Sequence, residues 1–154
     1  MANFSEIKVL LADDDKDDCL FFQEALAEIP LATSLIMVHN GEQLMQHLEN
    51  NSLNLPHVVY IDLNMPRKNG FECLREIKNH PLFKTLPIIM FSTSYDEEIT
   101  NRLYEYGASF YICKPASFSE LKNVIHHTLN LLQQNNLNPS KANPLMNKTK
   151  PAWR

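Results

Sequence analysis

Cysteine, glycine and long apolar runs are all scarce in this chain of 154 residues. Its three cysteines, Cys19, Cys73 and Cys113, are odd in number and far apart. That argues against a disulfide framework and offers no metal-ligand spacing; it suits reduced thiols in a cytoplasmic protein. Cys113 lies in an apolar run and reads as a buried, inert thiol. The three glycines, Gly41, Gly70 and Gly107, form neither a GxGxxG nor a Walker A loop, so a nucleotide-binding Rossmann enzyme is disfavoured. No apolar run approaches the ~20 residues of a membrane span. The first six residues lack the basic and apolar regions of a secretory signal. Residues 133–154 hold no acid, only Lys141, Lys148, Lys150 and Arg154. The rest of the chain therefore carries 10 basic against 18 acidic residues. An acidic body argues against nucleic acid as the direct partner.

A hydrophobic content of 44% is enough for a packed core, and the length favours one domain. Short apolar runs predict five strands: Ile7–Leu11, Ser34–Val38, about His57 to Ile61 or Asp62, a fourth opened by Pro87 and running through Phe91, and Ser109–Cys113. Between them lie helical patterns. Asp15 is placed to cap the first, where Cys19, Phe22, Leu26 and Ile29 recur at helical spacing before Pro30. Gly41 to about Asn50 reads as the second, with Leu44 and Leu48 on one side. The third follows Gly70 with Phe71, Leu74 and Ile77 inward, and ends by Pro81. Asp96 caps the fourth, where Ile99, Leu103 and Tyr106 share a face and Gly107 closes the helix. Phe118, Leu121, Ile125, Thr128 or Leu129, and Leu132 mark the fifth.

Five βα units of this kind predict a doubly wound, five-stranded parallel α/β sheet with five helices, of the flavodoxin-like class. The expected domain spans 1–132, and 133–154 reads as a polar, weakly basic extension.

The ends of these strands are informative. The first run finishes in Asp13-Asp14-Asp15, the third in Asp62, the fourth in Ser92 and the fifth in Lys114-Pro115. In an open parallel sheet, strand carboxyl ends gather at one edge, where ligands bind. A carboxylate at the tip of a buried strand is costly unless something pairs with it. Mg²⁺ takes oxygen ligands, and Asp14 and Asp62 can supply two carboxylates, with Asp13 acting directly or through water. The backbone carbonyl of Asn64 is a further candidate ligand. Asp62 is itself a candidate nucleophile toward phosphorus, and Lys114 and the Ser92 hydroxyl are candidates to balance phosphoryl oxygens. Alone, each has a blander reading: a turn acid, a surface lysine, a loop hydroxyl. Asp15 is better read as a cap. Thr93 and Ser94 read as loop hydroxyls, and Arg67 and Lys68 as a solvated loop. His126 and His127 are adjacent on a helix, so they point in different directions and do not chelate together.

Four stretches, taken together, resemble the receiver domain of two-component response regulators of the stand-alone, CheY-like type. They are Val9-Leu-Leu-Ala-Asp-Asp-Asp15, Val58-Val-Tyr-Ile-Asp-Leu-Asn-Met-Pro66 with Gly70, Leu86-Pro-Ile-Ile-Met-Phe-Ser-Thr93, and Gly107-Ala-Ser-Phe-Tyr-Ile-Cys-Lys-Pro115. The resemblance covers residues 5–132. It implies that Asp62 is the phosphoacceptor, Asp13 and Asp14 the acidic Mg²⁺ pair, Ser92 the switch hydroxyl and Lys114 the family lysine. It implies that Tyr111 is the aromatic switch residue and that the Lys114–Pro115 bond is cis. The donor would be a phosphohistidine on a sensor histidine kinase or histidine phosphotransfer protein. The output would be a changed helix 4–strand 5–helix 5 surface for an unidentified protein target, with a homodimer left open. On phosphorylation Ser92 would be drawn inward and Tyr111 would follow into the vacated space. Asn64 and Ser94 would flank the path of attacking water.

Two other readings compete. A haloacid-dehalogenase-type phosphatase fits Asp13-x-Asp15 superficially, but it needs a downstream acid, and only Glu120 follows Lys114. The other is a constitutive adaptor that never uses a phosphate. The leading expectation is therefore a non-enzymatic phosphoacceptor.

Overall fold

In a computed structural model, which describes residues 4–93, 95–135 and 137, the strands and helices alternate along the chain. They are β1 (Ile7–Ala12), α1 (Lys16–Ala27), β2 (Thr33–Val38), α2 (Gly41–Asn50), β3 (Val58–Asp62), α3 (Gly70–Lys78), β4 (Ile88–Ser92), α4 (Glu97–Glu105), β5 (Phe110–Cys113) and α5 (Phe118–Gln133). All strand pairs are parallel, in the order β2-β1-β3-β4-β5. The strands β3 and β4 are buried along their whole length, as interior parallel strands covered on both faces must be. By contrast β2, at an edge, is only half-buried.

Strand alternation sorts the core into two layers. Val9, Leu11, Tyr60, Phe91 and Ile112 face α1 and α5. Leu10, Val59, Ile61, Met90 and Tyr111 face α2, α3 and α4. Each helix starts on a side-chain cap: Asp15, Asn40, Asn69, Asp96 and Ser117 each accept a backbone N–H from the first turn. Asn69 and Glu72 form a reciprocal capping box. Gly107 closes α4 at φ 105°, in the left-handed region. Among the described residues, no helix is long and apolar enough to cross a membrane.

The face expected of α4 differs in part. Leu103 is buried as expected, but its buried companion is Thr100, whose hydroxyl donates to the Asp96 carbonyl at 2.7 Å. Ile99 and Tyr106 are each 40% exposed. A stripe at i, i+4, i+7 is wide, and tertiary packing chose only its centre for burial. At the other end of the chain, Leu137 packs into the α1–α5 core, and Ser109 Oγ donates to its carbonyl. The remainder of the basic extension, residues 136 and 138–154, lies outside the described residues, as does Ser94.

One buried polar pair links the central strand to α5. The Tyr60 hydroxyl lies 2.6 Å from Thr128 Oγ1, and Thr128 donates its own proton to the Ile125 carbonyl at 2.9 Å. Tyr60 is therefore the donor between the two. Thr128→Val should cost about 1–3 kcal/mol, because it strands a fully buried hydroxyl. Tyr60→Phe leaves Thr128 its carbonyl partner and should cost only about 0.5–1.5 kcal/mol. Urea denaturation of the two variants should show that order.

Candidate functional site

Register brings the strand ends together. Ala12 pairs with Ile61, Asp62 with Phe91, and Ser92 with Cys113. The ladder then runs past the strands: Asp13 N–H donates to Val38 O at 3.0 Å, Leu63 N–H to Phe91 O at 2.8 Å and Lys114 N–H to Ser92 O at 2.7 Å. These bonds fix the backbone that carries Asp13, Asp62, Ser92 and Lys114 at one edge of the sheet.

Carboxylate oxygens of Asp13, Asp14 and Asp62 all lie within 4.8 Å of one another. Asp13 and Asp62 are buried, at 2% and 5% exposed, while Asp14 opens to solvent. Lys114 Nζ lies 2.9 Å from Asp13 Oδ2, 2.8 Å from Asp18 Oδ2 and 3.6 Å from Asp62 Oδ1. Asp13 Oδ1 also accepts the Asp15 N–H at 3.0 Å, and Asp62 Oδ1 the Asn64 N–H at 3.3 Å.

Burial pushes the Asp62 carboxyl up to about 7; Lys114 pulls it down, and Asp13 pushes it further up. For Lys114, burial opposes the charge, but hydrogen bonds to Asp13 and Asp18 outweigh it and hold the ammonium above its ordinary range. The local balance is thus four carboxylates around one ammonium. An all-oxygen donor set with surplus negative charge fits a hard divalent cation such as Mg²⁺.

The sequence alone does not single out Asp18, which as a first-turn acid of α1 suits the helix N-terminus in any case. No sequence signal separates that role from its reach to Lys114. His39 was also missed as a neighbour: its Nδ1 lies 3.2 Å from the Asp13 carbonyl. Arg67 and Lys68 are engaged with Glu42 and Glu76 respectively. His126 and His127 sit half-buried at adjacent positions of α5.

One expectation is corrected. No peptide bond among the described residues is cis, so Lys114–Pro115 is trans; the two isomers differ by only about 0.5–1 kcal/mol before tertiary contacts act. Tyr111 sits beside Ser92 in this structure. Its ring is already inside, at 4% exposed, with its hydroxyl hydrogen-bonded to the Ser92 side chain. The Tyr111 N–H donates to the Tyr104 hydroxyl at 2.8 Å, which ties the position to α4.

Gly70 holds the loop after Asp62 in place. A Cβ there would sit 2.5 Å from the Asp62 carbonyl oxygen and 2.8 Å from Leu63 Cα, both backbone atoms. Gly70→Ala should therefore cost on the order of 2 kcal/mol and displace Asp62. Thermal denaturation reads the first effect, and metal titration followed by amide NMR signals reads the second.

A family model described as the response regulator receiver domain matches residues 9–126. Response regulator Rcp1 of Synechocystis is 32% identical over 117 residues, covering 73% of this chain and 80% of that protein. Among solved structures, a phosphorylated cyanobacterial phytochrome response regulator, RcpA, is similar with a TM-score of 0.76 at 30% identity, over 84% of this chain and 96% of that one. The Mn²⁺-bound form of response regulator Rcp1 gives 0.73 at 27% identity, over 83% and 95%.

Proposed function

The chain belongs to the response regulator receiver domain family, and on that premise we propose that it accepts a phosphoryl group on Asp62 and reports it through a changed protein-binding surface. The observation that carries this reading is the convergence of the Asp13, Asp14 and Asp62 carboxylates within 4.8 Å, with Lys114 Nζ 3.6 Å from Asp62. The donor is a phosphohistidine on a sensor histidine kinase or phosphotransfer protein. The relatives named as phytochrome response regulators favour a phytochrome-type kinase.

In the transfer, an Asp62 oxygen attacks phosphorus and the P–N bond to the donor histidine breaks. The electron pair returns to the imidazole nitrogen. Asp13, Asp14, Asp62 and the Asn64 carbonyl would hold Mg²⁺, which when bound neutralises charge on the phosphoryl oxygens. Lys114 leaves its carboxylate partners for one phosphoryl oxygen, and the Ser92 hydroxyl donates to another. That second bond competes with the one Ser92 makes to Tyr111, so phosphorylation loosens Tyr111 and, through Tyr104, α4. Such coupling works only through different interaction energies in the two states. The protein is then a cytoplasmic signalling switch with no turnover of its own beyond self-phosphorylation and self-dephosphorylation.

Acetyl phosphate with Mg²⁺ should label the wild type and not Asp62→Asn, read by phosphorus NMR or intact mass. Equal labelling of the two proteins would sink the assignment. With Ser92→Ala and Tyr111→Ala, labelling should persist while binding of a kinase-dependent partner no longer responds to it.

A further inference from the structure

Outside the acidic site, α3 and α4 share a ridge of aromatic and cationic side chains. Arg102 of α4 lies over the Phe71 ring of α3, 5.3 Å from its centroid. Phe71 meets Tyr106, the residue that caps the end of α4, edge-on, with centroids 5.1 Å apart and planes at 80°. Arg75 of α3 then lies over Tyr106 at 5.6 Å. The four side chains alternate between the helices as guanidinium, ring, ring, guanidinium. Ile99 stands beside them, and it and Tyr106 are each 40% exposed. A groove of about 290 Å³ opens at the Ile99 end, lined by Leu63, Asn64, Asn69, Phe71, Ile99 and Arg102.

Both arginines are exposed, and among the described residues neither has a carboxylate partner. The ion pairs among the described residues belong to Arg67, Lys68, Lys114 and Lys122. A guanidinium held over a ring by cation–π attraction spends no N–H group on a carboxylate and keeps its donors for a planar anion. The ring contact also restricts the side chain in advance, which lowers the cost of binding.

We propose that this α3–α4 ridge is a docking surface for an acidic segment of a partner protein, with an apolar side chain entering the groove beside Ile99 and carboxylates meeting Arg75 and Arg102. Charge complementarity selects this occupant. The chain's own extension is basic and carries no acid from 133 to 154, so these arginines repel it. The ridge lies on the α3 side of α4, away from the α4–β5–α5 surface expected of the family. The proposal rests on the geometry of the unmodified protein, so its failure would leave the phosphoacceptor reading intact.

The test titrates two fluorescein-labelled helical peptides by anisotropy against unmodified full-length protein. One carries two glutamates a helical turn apart flanking a leucine, and the other has glutamine in their place. The wild type should bind the glutamate peptide roughly tenfold more tightly at low salt. Arg75→Gln with Arg102→Gln should abolish that preference, whereas Arg67→Gln, whose guanidinium pairs with Glu42, should keep it. Ile99→Ser should weaken both peptides, and amide shifts should map to α3 and α4. All the substitutions are at exposed positions, and unchanged thermal transitions verify folding. The proposal is overturned by no measurable binding, by an unchanged preference in the double variant, by shifts confined elsewhere, or by self-association through this ridge that excludes the peptide.

Discussion

Replacing Lys114 with methionine is expected to lower stability at pH 8 by on the order of 3–5 kcal/mol, because it leaves buried carboxylates without their cation. Methionine keeps most of the alkyl stem, so the loss is electrostatic. Lys114 Nζ contacts Asp13, Asp18 and Asp62 at 2.9, 2.8 and 3.6 Å, and Asp13 and Asp62 are almost wholly buried. The folded lysine holds its proton more tightly than the unfolded one. Its contribution is therefore complete below the ordinary lysine value of 10.5 and is lost only as pH rises above it. At pH 8 the wild type has all of it. In the variant the orphaned Asp62 carboxyl holds its proton still more tightly than it does beside the lysine, where it lies at about 7, so the deficit should shrink as pH falls toward that value. For a chain of this length the shift at pH 8 corresponds to roughly 10 °C in the thermal transition. Calorimetry at pH 8 and pH 5 checks this, and added Mg²⁺ should recover part of the loss at pH 8 alone. A deficit that ignores both pH and metal would mean that Lys114 acts by packing.

Much of this arrangement is legible in the chain because buried parallel strands leave few alternatives. Val58–Asp62 and Ile88–Ser92 are apolar until their last residue, so both the run and its end are visible. Four such ends on a parallel sheet must share an edge, which is why Asp13, Asp62, Ser92 and Lys114 group together from the sequence alone. Asp15 and Asp96 were legible as caps for a similar reason: each precedes a helical stripe. Asn40, Asn69 and Ser117 cap as well, yet nothing singled them out from other loop residues.

What was not legible depends on tertiary choices of small energy. Periodicity placed Ile99, Leu103 and Tyr106 on one face but could not tell its buried centre from its flanks. The flanks became the exposed ridge between α3 and α4. Asp18 at the start of a helix satisfies the helix dipole whether or not it reaches Lys114. Whether Tyr111 sits inside or outside is a rotamer preference, set here by Ser92, Tyr104 and the ring of Tyr95 6.1 Å away. Composition records none of these.

Asp62→Asn should make the protein more stable at pH 8 while abolishing its labelling. The folded Asp62 carboxyl titrates near 7, well above the ordinary value of 3.8, chiefly because it is buried. A folded state that binds its proton more tightly than the unfolded state loses stability as pH rises between those two values. The penalty is absent below about 4 and complete above about 7. Asparagine keeps the shape and the acceptor for the Asn64 N–H but carries no charge to desolvate. It gives up the 3.6 Å attraction to Lys114, which still has Asp13 and Asp18 as partners. The net gain at pH 8 should be on the order of 1–2 kcal/mol, a few degrees in the thermal transition, vanishing near pH 4. Mg²⁺ should stabilise the wild type more than the variant, because it relieves the same repulsion that asparagine removes. A variant less stable than wild type at pH 8 would show that Asp62 is held by its cation more strongly than burial opposes it. The acid that carries the chemistry would then also be structural. The expected opposite outcome describes a chain that tolerates strain at position 62 because only a carboxylate there can take a phosphoryl group.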